Sequence, residues 1–288
     1  MANRLFILGS INTDLVINTP YVPNKGETLI GSGFFTAHGG KGANQAVAAA
    51  RSGAKVIMCG ALGNDDFGKS ARQSLLDEGI DCRHIKTVDG VSSGIAVIVL
   101  SSGDNRIILD VGANHKITEK DVDEFLKESK KGDIFLAQLE TPISVTGYAL
   151  KRAKELGLTV ILNPAPANKD IIPYLDFVDI LTPNENECEL LGGVEKLLKK
   201  GMTLIVTLGE KGFRIINDKN DCTYPCIKIK PVDTTAAGDT FCGAMIAQLL
   251  EGKALEEAAK FGSKAASIAC TRKGAQPSIP TKEEVLEY

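Results

Sequence analysis

The sequence predicts an α/β fold: a doubly wound, mostly parallel sheet flanked by helices, with a small β-sheet lid. Three observations carry this. From residue 118 onward, helical and strand-like runs alternate regularly, the order expected of parallel strands covered by helices. Each strand-like run there ends in polar or glycine-bearing residues, as at Gln138-Leu139-Glu140 and Asn163-Pro164-Ala165-Pro166. Two stretches, about 15–36 and 94–111, break the alternation with strand-like pieces and no helix between them. No internal repeat, low-complexity tract or linker divides the chain, so residues 1–288 read as a single domain with the lid inserted in it.

Composition narrows the function classes. A net charge of −3 and a pI near 5.8 leave no electrostatic footprint for nucleic acid or a membrane surface. The seven cysteines include no C-x-x-C pair, and Cys222 and Cys226 lack a second pair of ligands, so they read as reduced thiols. The apolar run within Met1–Leu8 is too short for a signal peptide, and no later stretch approaches a membrane span. A soluble cytoplasmic protein is expected.

Leu5–Leu8 is a short buried-type strand that ends at Gly9-Ser10. Asn12 and Asp14 follow, just beyond the strand end where ligands gather in open α/β sheets, although Asn and Asp alone also make turns. Leu15–Ile17, Thr28–Ile30 and Phe34–Thr36 then read as an antiparallel excursion. Residues 93–111 repeat the style, with a turn at Ser101-Ser102-Gly103-Asp104-Asn105. The two excursions can pair into one small sheet, and closing such a lid over a site excludes water.

Between them, His38-Gly39-Gly40-Lys41-Gly42-Ala43-Asn44-Gln45 opens an Ala-rich helix over 43–52. Its glycines permit close backbone approach to a ligand or equally close packing, while Lys41 and Asn44 supply a cation and an amide. Gly63-Asn64-Asp65-Asp66-Phe67-Gly68-Lys69-Ser70 has P-loop spacing. Asp65 and Asp66 would set carboxylates in the phosphate cradle, so a strand-to-helix turn capped by Asp is the expectation. The later elements are helices over 118–129 and 142–156, strands at Ile134–Ala137, Leu158–Leu162 and Val178–Leu181, and a helix opened by Thr182-Pro183-Asn184 and ending at Gly192. Leu204–Val206 leads to Thr207-Leu208-Gly209, residues 212–229 read as antiparallel edge strands, and helices over 239–251 and 254–270 precede a Gly/Pro segment, Thr271–Ser278.

The chemistry gathers at Pro231–Phe241. Phe241, Met245 and Leu249 recur at helical spacing, and the small residues Ala236-Ala237-Gly238 precede them. Such a helix start leaves backbone N–H groups bare and carries partial positive charge, which suits phosphate oxygens. Asp239 stands where a carboxylate can face whatever attacks that phosphate, although Asp is also a common helix cap. Asn12, Asp14, Glu140, Asn184, Glu187, Thr207 and Asp239 all fall at strand exits or the helix starts beyond them. A carboxylate beside an anion-binding helix end, an acidic cluster and a lid suggest phosphoryl transfer to a hydroxyl.

Six motifs together are similar to one family: Gly9-Ser10-Ile11-Asn12-Thr13-Asp14, Gly39 to Ala46, Asn163-Pro164-Ala165-Pro166, Thr182-Pro183-Asn184-Glu185, Asp233 to Phe241 and Thr271 to Ser278. End to end, the chain resembles the ribokinase branch of the ribokinase/phosphofructokinase-B family of sugar kinases. The resemblance implies ATP-dependent phosphorylation of D-ribose at O5, giving ribose 5-phosphate and ADP. It makes Asp239 the general base, with Ala236, Ala237 and Gly238 as the anion hole. It assigns Asn12, Asp14, Gly40, Lys41, Asn44 and Glu140 to the sugar hydroxyls. Asn184 and Glu187 match the motif that governs Mg2+ and phosphate, partly through water, and Thr207, Gly209 and Gly212 match the nucleotide-side loop. Asp233, Thr235, Ala269, Arg272, Gly274 and Ser278 match the positions that enclose K+, largely through backbone carbonyls. The lid is expected to form a homodimer contact.

Three departures stand out: Ser263 replaces a histidine against the adenine, Cys242 replaces an asparagine, and the chain between Gly192 and Thr203 is shorter by about one helix. The competing readings are a kinase of the same family for another sugar or nucleoside, a non-catalytic sugar-binding protein on the same scaffold, and a P-loop NTPase resting on Gly63–Ser70 alone.

Overall fold

Residues 3–101 and 104–288 are described by the computed structural model. In chain order the strands are β1 (Leu5–Leu8), β2 (Asn12–Thr19), β3 (Ser32–Gly39), β4 (Val56–Gly63), β5 (Asp81–Val88), β6 (Gly94–Ser101), β7 (Asp104–Asp110), β8 (Ile134–Ala137), β9 (Thr159–Leu162), β10 (Ile180–Leu181), β11 (Thr203–Thr207), β12 (Phe213–Ile216) and β13 (Asp221–Tyr224). The helices are α1 (Lys41–Arg51), α2 (Asp66–Asp77), α3 (Glu119–Leu126), α4 (Ile143–Glu155), α5 (Glu185–Leu190), α6 (Val194–Leu197), α7 (Ala237–Leu250), α8 (Leu255–Ala269) and α9 (Lys282–Glu287).

The large sheet has nine strands in the order β13-β12-β11-β10-β9-β8-β1-β4-β5. All neighbours pair parallel except β11–β12 and β12–β13 at one edge. Burial on both faces explains why the central strands read as unbroken apolar runs. Leu5 and Ile7 of β1 pack with α1, α7 and α8, whereas Phe6 and Leu8 pack with α3 and α4 on the other face. Chain order reverses at β1, with β8 on one side and β4 on the other, so a crevice opens beyond the carboxyl ends of these strands.

One helix pair is set unusually close. A Cβ at Gly243 of α7 would lie 2.4 Å from the carbonyl oxygen of Gln45 and 2.6 Å from the Cβ of Ala48, both on α1. Glycine there and alanines opposite allow the two helices nearly to touch backbones. The contact matters because Asp239 lies one turn before Gly243.

A second sheet, β3-β2-β6-β7, stands apart from the first. Its outer pairs are antiparallel as expected, but the two excursions join through a parallel β2–β6 pairing. Thr28–Ile30 is not a strand. The chain there follows a turn in which Glu27 N–H bonds to the Asn24 carbonyl and the Glu27 carboxylate to the Asn24 N–H, which takes it off the β2–β3 ladder. The strand of the first excursion also begins earlier than residue 15. Asn12 and Asp14 are its first residues rather than a turn, paired with Gly39 and Ala37 of β3. The tip of the expected 101–105 turn, residues 102 and 103, lies outside the described residues, as do Met1 and Ala2.

Asp65 caps α2. Its carboxylate accepts the Gly68 N–H, the Ser93 N–H and the Ser93 hydroxyl, each at 2.7 Å. The place a P-loop would give to phosphate is filled by this side chain, and Lys69 pairs on the surface with Asp66 at 3.2 Å. Strand β5 had no separate signal in the sequence. Helix α3 stops at Leu126, three residues short of expectation, and α1 and α7 each begin two residues early. Between α5 and β11 the only helix is the single turn of α6, consistent with the shortened stretch there.

Candidate active site

The crevice beyond β9 to β11 forms a solvent-open cleft of about 210 Å³. Lys41, Asn184, Glu187, Thr207 and Asp239 line it together with Ala236, Ala237 and Gly238. Sequence reading had separated these residues by up to 198 positions, and parallel strands that end at one edge bring them together.

Asp239 sits in the first turn of α7, and it does not cap that helix. Its two carboxylate oxygens take side-chain amides from α1: Asn44 Nδ2 at 3.0 Å to Oδ2, and Gln45 Nε2 at 2.8 Å to Oδ1. Burial pushes this carboxyl above the usual carboxylate range, although Lys41 and the two amides pull the other way. Ala236, at φ 60, is the only non-glycine residue with positive φ among the described residues. A left-handed alanine costs about 1 kcal/mol, and such strain is concentrated where geometry serves a function. Ala237 N–H bonds to the Thr234 carbonyl at 3.2 Å, while the N–H groups of Gly238 and Asp239 have no acceptor in the first turn.

Around this helix end one ammonium stands among carboxylates. Burial lowers the pKa of Lys41, yet Asp239, Glu140 and Glu187 together outweigh it and hold the ammonium above its usual range. Glu140 accepts the Ser10 hydroxyl at 2.5 Å and the Lys41 N–H at 3.2 Å, which pins the start of α1 to the exit of β8. Asp14 reaches in from β2. Burial, then the charges of Glu140 and Asp239, raise its pKa to about 6. Gly40 closes the N-terminus of α1 beside Asn12, whose Oδ1 accepts from Asn114 Nδ2 at 2.7 Å.

Asn184 and Glu187 bond to each other. Asn184 Oδ1 accepts the Glu187 N–H at 2.8 Å, and Glu187 Oε2 accepts the Asn184 N–H at 2.9 Å, a capping box at the start of α5. This occupies one oxygen of Glu187; burial raises its carboxyl pKa. Thr207 lies beside Asn184 at the end of β11. Gly209 and Gly212 bracket the short turn after it, and a Cβ at Gly212 would fall 2.0 Å from the Tyr224 carbonyl oxygen, so packing alone demands that glycine.

A second cluster joins the loop before α7 to the segment after α8. The Asp233 carboxylate accepts the Thr235 N–H and hydroxyl at 2.9 and 2.7 Å and the Gly274 N–H at 2.9 Å. Cys270 accepts the N–H groups of Val232 and Asp233. The Ala269 carbonyl accepts the Arg272 N–H, the Arg272 guanidinium pairs with Glu284, and the Ser278 hydroxyl bonds to the Ala275 carbonyl. Ser263 is buried in α8, its carbonyl accepting the Ser267 hydroxyl. Cys242 borders the cleft, 3.2 Å from the Thr182 hydroxyl, and burial pushes its thiol up to about 12.

The model of the pfkB family carbohydrate kinases matches residues 2–282. The chain belongs to that family. This kinase is 44% identical to the ribokinase of Haemophilus influenzae over 100% of its own length and 99% of the relative's. That alignment spans 302 positions against 288 residues, so gaps fall in the present chain. A ribokinase structure from Thermotoga maritima superposes with a TM-score of 0.88 at 37% identity, covering 99% of this chain and 98% of that one. An Arabidopsis thaliana ribokinase complexed with ribose and ATP gives 0.88 at 32% identity over 100% and 98% of the two chains.

Gln45, Asn163, Gln138 and Asn114 at the kinase's site went unassigned in the sequence. Gln45 and Asn163 lie within recognised motifs, but an amide gives no sign in a sequence of which neighbour it will hold. Asn114 lies in a short turn without a pattern, and it bonds the backbone of Ile11 on both sides.

The Asp14 shift yields a stability prediction. Its native pKa of about 6 exceeds the ordinary carboxylate value, so the native state binds the extra proton as pH falls. The ionised group therefore costs stability above pH 6, and that cost vanishes below about pH 4. Asp14→Asn should stabilise the sugar-free kinase at pH 7.5 by about 2 kcal/mol and by much less at pH 4, read by urea unfolding. An equal difference at both pH values would contradict the electrostatic assignment.

Proposed function

We propose that this kinase transfers the γ-phosphoryl group of ATP to the O5 hydroxyl of D-ribose. Asp239 accepts the O5 proton, a bond forms between O5 and phosphorus, the bond to the β-phosphate oxygen breaks, and ADP leaves. The observation that carries this reading is a buried carboxylate held by two amides beside bare helix N–H groups. In the proposed anion hole of Ala236, Ala237 and Gly238 the bare N–H is that of Gly238, with that of Asp239 next to it, while Ala237 donates to the Thr234 carbonyl. The bare pair suits the charge on the moving phosphoryl oxygens. Asn12, Asp14, Gly40, Lys41, Asn44 and Glu140 are assigned to the sugar. Support comes from the buried Asn44 Oδ1, which has no partner in the protein and is a ready acceptor for a ligand hydroxyl.

ATP is assigned to the side of Asn184, Thr207, Gly209 and Gly212. Mg2+ bound with it supplies positive charge to the phosphates. Mg2+ keeps most of its water and needs one or two carboxylates, and Glu187, with one oxygen outside its capping bond, fits that demand. The small four-stranded sheet is assigned as the lid. Its apolar residues are exposed on both faces, Phe34 and Ile108 on one and Phe35 and Ile107 on the other, more than a sugar could cover. A second copy of the chain is the proposed partner for that surplus, read by sedimentation equilibrium. ATP use and seven free cysteines support a cytoplasmic setting.

Two experiments test the reading. A coupled ADP-release assay over ribose, 2-deoxyribose, fructose and adenosine should favour ribose, and a preference for another acceptor would move the kinase to a different substrate within its family. In the same assay Asp239→Asn should lose about two to four orders of magnitude in turnover while ribose still binds. A variant keeping a tenth of the parent rate would remove Asp239 as the base.

K+ is assigned to the loop formed by Asp233, Thr235, Ala269, Arg272, Gly274 and Ser278. The Asp233–Gly274 bond supports this by joining both walls, and ordering them would order the anion hole three residues on. At fixed ionic strength, K+ should raise turnover over Na+ or tetramethylammonium with little change in ribose KM, because the benefit falls on the transition state. Equal rates in the three salts would sink the cation site.

A further inference from the structure

We infer that Gln45 is a positioning residue that aims the Asp239 carboxylate and keeps it in its proton-accepting form. The inference rests on the reading of Asp239 as the base and adds a residue to it. Gln45 is wholly buried in α1. Its Nε2 donates to Asp239 Oδ1 at 2.8 Å and to Asn163 Oδ1 at 3.0 Å, and its Oε1 accepts from Gln138 Nε2 at 2.6 Å. Asn163 is itself held, its Nδ2 donating to the Thr182 carbonyl at 2.7 Å.

These partners decide which way the amide points. With Gln138 donating to Oε1, the NH2 group must face the two acceptors, Asp239 and Asn163; the reversed amide would set oxygen against carboxylate. Asn44, next in sequence, differs. It donates to Asp239 Oδ2, but its own oxygen is buried without a partner and is left for a ligand. Gln45 spends both polar ends inside the protein. The two neighbours thus divide the work: Asn44 faces the sugar, and Gln45 holds the base.

The groups facing Asp239 are Lys41 from α1, Glu140 after β8, Glu187 from α5, Asp14 from β2 and Cys242 in the next turn of α7. Lys41 favours the ionised base and the carboxylates oppose it, and the hydrogen bond to Oδ1 comes from Gln45 alone among the described residues. A hydrogen bond to the ionised form favours that form.

Gln45→Met keeps length and apolar packing and removes the donor. Turnover should fall about 10- to 100-fold, with ribose KM within about threefold and the acid limb of the kcat–pH profile raised by about one unit. A merely structural role would not move that limb. Should the methionine variant fail to fold, Gln45→Glu decides: two adjacent carboxyls share a proton, so the limb must again rise. A folded variant with turnover within twofold of the parent and an unmoved limb would overturn the inference. So would a raised ribose KM with kcat intact. Asp239→Asn run alongside separates the two readings. If it stays active, the base itself is misassigned; if it is inactive while Gln45→Met is unaffected, only the positioning role fails.

Discussion

A carboxylate buried between two helices is the constraint on which the rest of this kinase depends. Asp239 lies on α7, and both its hydrogen-bond partners lie on α1. The bonds exist only because the helices almost touch, and they do so because Gly243 has no side chain to hold them apart. Burying an ionisable group without partners would cost several kcal/mol, so the two amides and the nearby Lys41 are what make the position tolerable. The same burial raises the proton affinity of the carboxylate, which a group accepting a proton from a hydroxyl requires. Packing and chemistry therefore share one cause.

The second constraint is electrostatic. Glu140, Glu187 and Asp239 surround one ammonium, that of Lys41, and Asp14 faces Glu140 and Asp239. Burial first, then the charges of Glu140 and Asp239, raises the pKa of Asp14 to about 6, so its ionised form costs stability while no ligand is bound. Asp14 belongs to the small sheet, whereas Glu140 follows β8 of the large sheet and Asp239 lies in α7, so repulsion acts across the junction of the two bodies. A polyhydroxyl ligand that donates hydrogen bonds to these carboxylates would relieve it, and the proposed lid would then be drawn onto the site.

Much of the fold was legible in the sequence because parallel strands covered on both faces write themselves as apolar runs. Leu5–Leu8 and Ile134–Ala137 appear with the expected bounds. The antiparallel edge was also legible, within residues 212–229. Thr28–Ile30 misled because its apolar residues are not buried, Ile30 being 95% exposed, so hydrophobicity there reports no ladder. For Asn12 and Asp14 a turn stayed open as the alternative because a strand that starts at a functional site begins with polar residues. At the site, glycines, the lysine and the carboxylates were visible at strand exits. The amide network of Gln45, Asn163 and Gln138 was not, since it depends on how closely α7 approaches α1, and one glycine among many does not announce that distance.

On the proposed reading, a closely packed α1–α7 frame holds the base while the small sheet closes when sugar binds. Hydrogen exchange with and without ribose tests it most directly. Thin strands with little core of their own exchange quickly until something covers them. Ribose should slow exchange in β2, β3 and β6 and at the start of α7, and leave β1, β8 and β9 nearly unchanged. Uniform protection across both sheets, or none in the small one, would contradict a moving lid over a preformed site.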